Sequence, residues 1–297
     1  MEHQLIIIRY GEIGLKSKTT RKYFEKKLIK NIKNAFKKEK ISNMIKIQMG
    51  RIYVYTNEIN IAVKVLQKIF GIISVSPAVE TKSNIDLIAE KAVEILKEKI
   101  KEKQSFALRV TRDGKHEYTS QDVAVYVGDA IVKNTKAKVN LTKPDHTLYI
   151  EIRGKNAFLF EEKIPCQGGL PLGTQGTVLA IVEKQETILA AWYLMRRGCN
   201  IVFIVTNKTI EKTLKNFLKK WFVEPQIFFI KSNKKIKEII LEKQCEAIVT
   251  NHTINDNNFI NDTKQLKKQF KLPVLQPLIT MNHDEIQKKS REIGLLR

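Results

Sequence analysis

Apolar residues recur along the chain in two rhythms. Residues 5–9 form a short apolar run, and residues 46–56 alternate as one strand. Between them Phe24, Leu28, Ile32, Ala35 and Phe36 fall at helical spacing, and Thr19 or Thr20 can cap that helix. A second helix is predicted over 59–70, ended by Gly71, with a closing extended piece over 72–77. This β-α-β-α-β order implies a small ferredoxin-like α+β unit over residues 1–78.

The middle stretch, 79–165, opens with a helix over 85–101, where Leu87, Ile88, Ala92, Ile95 and Leu96 share one face. A strand over 105–111 and the polar run Asp113-Gly114-Lys115-His116 follow. Then come a helix over 121–133 and strands over 139–142, 148–153 and 157–160. The third stretch, 166–297, begins with the glycine-rich loop Gly168-Gly169-Leu170-Pro171-Leu172-Gly173. Strands over 178–182, 200–205, 226–230 and 247–250 alternate there with helices over 186–197, 211–221 and 234–243. An extended piece at 273–278 and a helix over 283–293 close it, and the alternation implies a doubly wound parallel sheet.

Charge changes the picture. The 297 residues are 43% hydrophobic, as in a globular protein, yet carry a net charge of +22. Residues 1–80 hold 16 basic and 6 acidic groups, 81–165 hold 16 and 13, and the rest 21 and 12. The excess sits at the two ends, and a polyanion, nucleic acid first and an acidic membrane surface second, is the natural partner. Lysine supplies 43 of the 53 basic groups, so genome composition accounts for part of the excess. No apolar run reaches the roughly 18 residues of a membrane span. The opening residues read as a strand and not as a signal peptide, and Cys166, Cys199 and Cys245 are too scattered for a disulfide framework or a zinc site. A cytoplasmic protein without a metal is expected.

The first β-α turn of a parallel sheet is where phosphate is normally cradled, by glycine N–H groups and small hydroxyls. Here it reads Val182-Glu183-Lys184-Gln185-Glu186-Thr187, without glycine and with two carboxylates that repel a polyphosphate. The loop at 168–173 is read as a linker, although a glycine nest can bind anions. Cys166 has nothing beside it to lower its pKa, and Cys199 and Cys245 are expected as core residues. His252 follows a strand end but has no evident partner carboxylate, so it is expected as a loop residue; His146 and His283 are expected to be structural. His116 shares a basic loop with Arg109, Arg112 and Lys115. In the stretch 18–40, Lys18, Arg21, Lys22, Lys26, Lys27, Lys30, Lys33, Lys37 and Lys38 face only Glu25 and Glu39, and such a surface gains from counterion release on a phosphate backbone. With few aromatics in the basic regions, structured RNA is favoured over single strands.

Three groups of residues resemble the tRNA 4-thiouridine synthetase (tRNA sulfurtransferase) family. Ile8-Arg9-Tyr10-Gly11-Glu12-Ile13-Gly14-Leu15-Lys16 with Arg21 and Phe24, Phe70-Gly71-Ile72 and Ser76-Pro77-Ala78 look like its N-terminal ferredoxin-like domain. The segment 106–112, His116, Pro144-Asp145 and Tyr149-Ile150-Glu151-Ile152-Arg153 look like a THUMP domain, an RNA-binding module. Gly168-Gly169-Leu170-Pro171-Leu172-Gly173-Thr174-Gln175-Gly176, the run Tyr193-Leu194-Met195-Arg196-Arg197-Gly198-Cys199, Ala247-Ile248-Val249-Thr250 and Gln276-Pro277-Leu278-Ile279 look like its adenylating PP-loop domain. The resemblance implies tRNA as partner, with Lys16, Lys18, Arg21, Lys22, Arg109, Arg112, Lys115, His116 and Arg153 as the RNA-binding candidates.

Against the family's Ser-Gly-Gly-x-Asp-Ser loop, Val182, Glu183, Lys184 and Gln185 depart, and only Glu186 and Thr187 keep the chemical type. Its Thr-Gly-Glu is here Thr250-Asn251-His252, and the segment after it is shortened. Family members also carry a sulfur-transfer cysteine beyond the position of Arg297. The expectation is therefore a degenerate nucleotide loop, no catalytic residues and no cofactor, in a tRNA-binding adaptor whose protein partner is another modification enzyme or a second copy in a homodimer. The alternative is ATP-dependent thiolation with a partner's cysteine.

Overall fold

The structure, a computed structural model, describes residues 5–15, 17–101, 104–230 and 232–296. In chain order its elements are β1 (Leu5–Arg9), α1 (Lys18–Lys38), β2 (Met44–Gln48), β3 (Arg51–Tyr55), α2 (Ile59–Leu66), β4 (Ser74–Lys82), α3 (Ile85–Lys97), β5 (Ser105–Asp113), α4 (Ser120–Thr135) and β6 (Lys138–Val139). They continue with β7 (His146–Arg153), β8 (Asn156–Phe160), β9 (Ile164–Pro165), β10 (Thr177–Val182), α5 (Gln185–Arg196), β11 (Asn200–Val205), α6 (Lys208–Lys220) and β12 (Ile227–Phe229). The last are α7 (Asn233–Glu242), β13 (Cys245–Val249), α8 (Phe259–Phe270), β14 (Val274–Leu275) and α9 (His283–Glu292). Two compact units result. The first gathers residues up to 9 with 39–67 and 73–166; the second gathers 10–38, 68–72 and the chain from 167 onward.

The first unit is built on one sheet in the order β2-β3-β1-β4-β8-β7-β5-β6, with β9 also paired to β4. The stretch 46–56, expected as one strand, is a hairpin: Met49 and Gly50 both have positive φ, at 47° and 72°, and β2 pairs antiparallel with β3 around them. Two adjacent positive-φ residues are what a tight type I′ turn requires. The element order through β4 is thus the full β-α-β-β-α-β. Strand β4 changes partner midway: residues 74–78 pair with β1, and 79–82 with β8. Helices α3 and α4 cover β5, β7 and β8, burying Ile88, Ala92, Leu96, Val123, Val127 and Ile131 against Phe106, Leu148, Ile150 and Leu159. Asn84 caps α3 and Thr119 closes a capping box with Asp122 on α4.

The second unit carries a parallel sheet in the order β12-β11-β10-β13-β14. Its strands read as unbroken apolar runs because both faces are buried. Alternate residues divide between the faces. Val178, Ala180, Val182, Phe203 and Val205 pack under α5, α6 and α9; Leu179, Val202, Ile204 and Ile248 pack under α7 and α8. Helix α8 was not expected from the sequence: only Phe270 of its residues is buried, too little apolar content to show a helical stripe.

The glycine loop is not a free linker. Gly168 N–H donates to Ile72 O at 2.7 Å, Leu170 N–H to Arg196 O at 2.9 Å and Gly173 N–H to Gly198 O at 2.8 Å. Those donors are occupied by backbone, so they are not an anion nest either. Gly169, at φ +77°, passes so close to Arg196 that a Cβ would lie 2.0 Å from its carbonyl oxygen.

Candidate functional site

Helix α1 presents a row of cations. Lys18, Lys22, Lys26, Lys30, Lys33 and Lys37 are all exposed and recur every three or four residues, which puts them on one helical face. Their Cα atoms span about 28 Å at 1.5 Å per residue. None of the six forms an ion pair among the described residues; Lys38, off the row, pairs with Glu224 at 2.6 Å. Arg21 has a different task, since its Nη2 donates to Gly14 O in the turn before the helix. Lys16 lies outside the described residues.

In the first unit, the parallel strands β5 and β7 bring a second basic group together. Arg112 and Lys115 are exposed, while His116 is half-buried. His116 Nε2 is 2.7 Å from Gly154 O and so carries the proton, leaving Nδ1 to accept from Arg112 Nη1 at 3.3 Å. Its ring stacks on Tyr118 at 5.3 Å. Arg109, farther along β5, is exposed and donates to Leu141 O at 2.6 Å. Arg153 is engaged inside the fold: Nε meets Glu151 Oε1 at 2.6 Å, and Nη1 meets Asp113 Oδ2 at 3.0 Å and Met49 O at 2.8 Å.

Sequence reasoning did not single out Glu151 as a hub. It is buried, 4% exposed, and also pairs with Arg9 at 3.0 Å and Arg51 at 2.9 Å. Burial works to raise its carboxyl pKa, but Arg51, Arg9 and Arg153 overcome this and hold it below the usual value. Three guanidiniums on one carboxylate leave this corner of the unit positive, with the hairpin turn, β1 and β7 pinned together.

In the second unit the strand order reverses between β10 and β13. The crevice at the carboxyl ends of strands about such a switch point is where open parallel sheets place ligands. A cavity of about 410 Å³ opens there, within the usual range of small-molecule sites. Ile204, Ile236, Ile248 and Phe270 contribute apolar wall; Glu183, Thr206, Asn233, Asn251 and Gln265 are among its polar lining. No lysine or arginine is among the described lining residues. Thr187, buried at the start of α5, donates its hydroxyl across the switch point to Asn251 Oδ1 at 2.9 Å. Lys184 N-caps α5 without a side-chain cap bond, and Glu186 occupies its first turn. Of the loop residues, Val182 is buried in the core, Gln185 begins α5, and Glu183 alone lines the cavity.

His252 does have a carboxylate partner: Nε2 lies 3.6 Å from Asp262 Oδ2. The sequence reading missed it because Asp262 is on α8, the helix it did not foresee. The thiols are quiet. Burial pushes Cys166 up to about 12 and Cys245 to about 11, and raises Cys199 as well. Among the described residues no group of His, Cys, Asp or Glu is arranged to hold a metal ion, and no helix is long and apolar enough to cross a membrane.

Comparison with known proteins agrees with this architecture. Residues 5–76 match the ThiI ferredoxin-like domain and residues 82–161 the THUMP domain. A probable tRNA sulfurtransferase of Methanocaldococcus jannaschii is 33% identical over 334 aligned positions, covering 97% of this chain and 87% of that protein. That alignment is longer than the chain, so the relative carries segments with no counterpart here. A relative from Methanobrevibacter smithii is 39% identical over 68% of this chain. The chain matches only about half (53%) of that protein's length. Among solved structures, PH1313 from Pyrococcus horikoshii superposes with a TM-score of 0.86 at 31% identity, covering 98% of this chain and 99% of that one. A 4-thiouridine synthetase, solved with RNA and bound ATP, shares the fold at a TM-score of 0.83 and 23% identity, over 99% of this chain and 86% of that one. With one-third identity sustained across nearly its whole length, the chain belongs to the tRNA sulfurtransferase family.

Proposed function

We propose that this chain is a tRNA-binding member of the family whose parallel-sheet domain does not adenylate, so that it acts as an adaptor in tRNA modification. The single observation behind the binding half is the lysine row of α1, which forms no ion pair among the described residues. Six exposed cations on one face suit a phosphate backbone, whose bound counterions they release. Arg109, Arg112 and Lys115 add cations on a THUMP domain, while Arg153 and His116 shape that surface through Glu151, Asp113 and Gly154. The structural neighbour's RNA complex fits the same reading.

The non-adenylating half rests on the turn after β10. A polyphosphate needs free N–H groups and positive charge. The turn offers no glycine, Glu183 faces the cavity, Glu186 occupies the helix start, and the Thr187 hydroxyl is engaged by Asn251. These residues do not fit the triphosphate of ATP, and the chain needs no cofactor for the role proposed. The domain limits 1–78, 79–165 and 166–297 serve as the working division, with tRNA, and a modification enzyme or a second copy, as partners.

Two titrations test it. A gel-shift with tRNA at low salt is expected to show binding; its absence overturns the adaptor role. Calorimetry with ATP and magnesium is expected to be silent. Saturable ATP binding would replace this reading with that of a thiolating enzyme drawing its cysteine from a partner.

A further inference from the structure

A second cavity, of about 170 Å³, opens in the second unit at the amino-terminal edge of the parallel sheet, opposite the switch point. Asn200 at the head of β11 and Gln226 just before β12 line it, together with Asn34 of α1 and the turn 221–224 after α6. Phe70 and Trp221, each 2% exposed and stacked at 5.2 Å, form apolar wall. Two lysines here stand apart from the exposed row of α1. Lys27 and Lys68 both line the cavity and are half-buried, and neither forms an ion pair among the described residues. Lys68 Nζ is held over the Trp221 ring, 4.9 Å from its centroid. Burial, and then the charge of Lys220, pull its pKa below that of a free lysine. Lys27 Nζ occupies the space a side chain at Gly173 would need, 3.0 Å from where its Cβ would stand. Glu224, the one carboxylate of the described lining, is taken by Lys38 at 2.6 Å. Phe222 lines the cavity in a left-handed conformation, φ 56°, where glycine normally ends a helix, a strain of the kind kept at ligand sites. Half-buried positive charge without a counter-charge is costly, and two such groups on one small cavity leave a place for an anion.

We infer that this cavity binds a phosphate oxyanion, with Lys27 and Lys68 as its charged donors and the side-chain amides of Asn34, Asn200 and Gln226 as neutral ones. Asn31, which also lines the cavity, commits its amide to Leu172 O at 3.1 Å. At about 170 Å³ the cavity is below the range of drug-sized ligands, which suits a single phosphate group and not a whole nucleotide. Free inorganic phosphate and a backbone phosphate of RNA present the same chemistry to it. The inference does not rest on the adaptor reading, since the site lies off the α1 row and at the other end of the sheet from the turn after β10.

The chain's two tryptophans, Trp192 and Trp221, lie 5.3 Å apart, so tryptophan emission reports on the cation held over Trp221. The full chain, free of RNA, is titrated with inorganic phosphate at constant ionic strength, with chloride as comparator. A saturable change in emission and a rise in melting temperature are expected with phosphate and not with chloride. Lys27→Gln and Lys68→Gln are each expected to weaken phosphate about tenfold, the worth of one hydrogen bond to a charged group. Lys212→Gln, which removes the same charge from an exposed position on α6, is expected to leave it unchanged. Without phosphate, Lys68→Gln is expected to melt no lower than the wild type, because it removes a desolvated charge that Lys220 repels; a lysine of purely structural value would lower the melting temperature and leave the phosphate response intact. Labelled tRNA separates the two sources. If a backbone phosphate enters the site, the double variant Lys27→Gln, Lys68→Gln lowers the salt slope of tRNA binding by about one; an unchanged slope beside a phosphate response in the wild type assigns the site to free phosphate. No response to phosphate together with an unchanged slope overturns the inference, and so does equal weakening by Lys212→Gln. If tRNA does not bind at all, the adaptor reading falls and the phosphate titration alone decides this site. ATP calorimetry repeated on Lys68→Gln keeps the two readings apart: heat lost in that variant belongs to this cavity, and heat retained in it overturns the adaptor reading instead.

Discussion

Replacing Lys22, Lys26 and Lys30 by alanine removes the middle of the α1 cation row without touching its core. All three side chains are exposed, while the buried face of the helix is formed by Phe24, Leu28, Ile32 and Phe36. Alanine is a better helix former than lysine, so folding is expected to be unchanged within about 0.5 kcal/mol. Binding is another matter. If each of the six lysines meets one phosphate of a duplex region, they contribute about −5.4 to the slope of log K against log salt, at roughly −0.9 per contact. Between 50 and 200 mM salt this costs about three orders of magnitude in affinity, and the triple variant is expected to lose only about 40-fold from the same face. Fluorescence anisotropy of labelled tRNA across that salt range measures the slope directly. The matched control is Lys234→Ala, Lys235→Ala, Lys237→Ala, which removes equal charge from exposed positions on α7. An unchanged slope in the α1 variant, or an equal change in the control, refutes the reasoning. Either result would mean that the charge acts as a diffuse field and not as a contact row.

Glu151→Gln is expected to lower stability by about 3–5 kcal/mol, because it leaves three arginines around a neutral amide. Denaturant titration followed by circular dichroism checks it, and a loss under about 1 kcal/mol would show that the cluster is solvated. Since the folded carboxyl of Glu151 titrates below its unfolded value near 4.3, its contribution is complete above that pH and is lost as acidification passes the lower folded value. Unfolding midpoints between pH 6 and 3 should fall more steeply in the wild type than in Glu151→Gln. Gly169→Ala combines a positive φ with a Cβ set against a carbonyl oxygen and is expected to cost about 3 kcal/mol or more, read as a lowered melting temperature. At pH 8 the three thiols are expected to react slowly with a disulfide reagent until denaturant is added, and one fast thiol in the native protein would contradict the burial assigned to it.

What the sequence revealed depended on how local each signal was. The runs that became β10, β11 and α5 were legible because uninterrupted apolar stretches and a helical stripe are written in neighbouring residues. The β2–β3 hairpin was not, because Met49 occupies a left-handed position that asparagine usually marks, and the alternation runs on through the turn. Helix α8 was hidden by its polarity, and with it the carboxylate that faces His252 from ten residues away. The acidic character of the turn after β10 was plain in the sequence. That Glu183 alone of that turn lines the cavity, which Thr250 also lines, needed three strands to be brought into register. Likewise Arg153 reads as a surface cation in sequence, yet three of its contacts come from residues 2, 40 and 104 positions away.

Strand β4 bears on how this molecule could be dissected. A cut at 78/79 falls within the strand, at the point where its pairing passes from β1 to β8. A fragment ending there loses the residues that border β8, and a fragment beginning there leaves β8 with a stub of four residues as its neighbour. Each piece then shows solvent a row of free backbone donors and acceptors beside apolar side chains such as Val75, Val79 and Leu159, which is the template on which other chains add. Fragments that keep β4 whole, at the expense of overlapping sequence, are the ones expected to stay soluble.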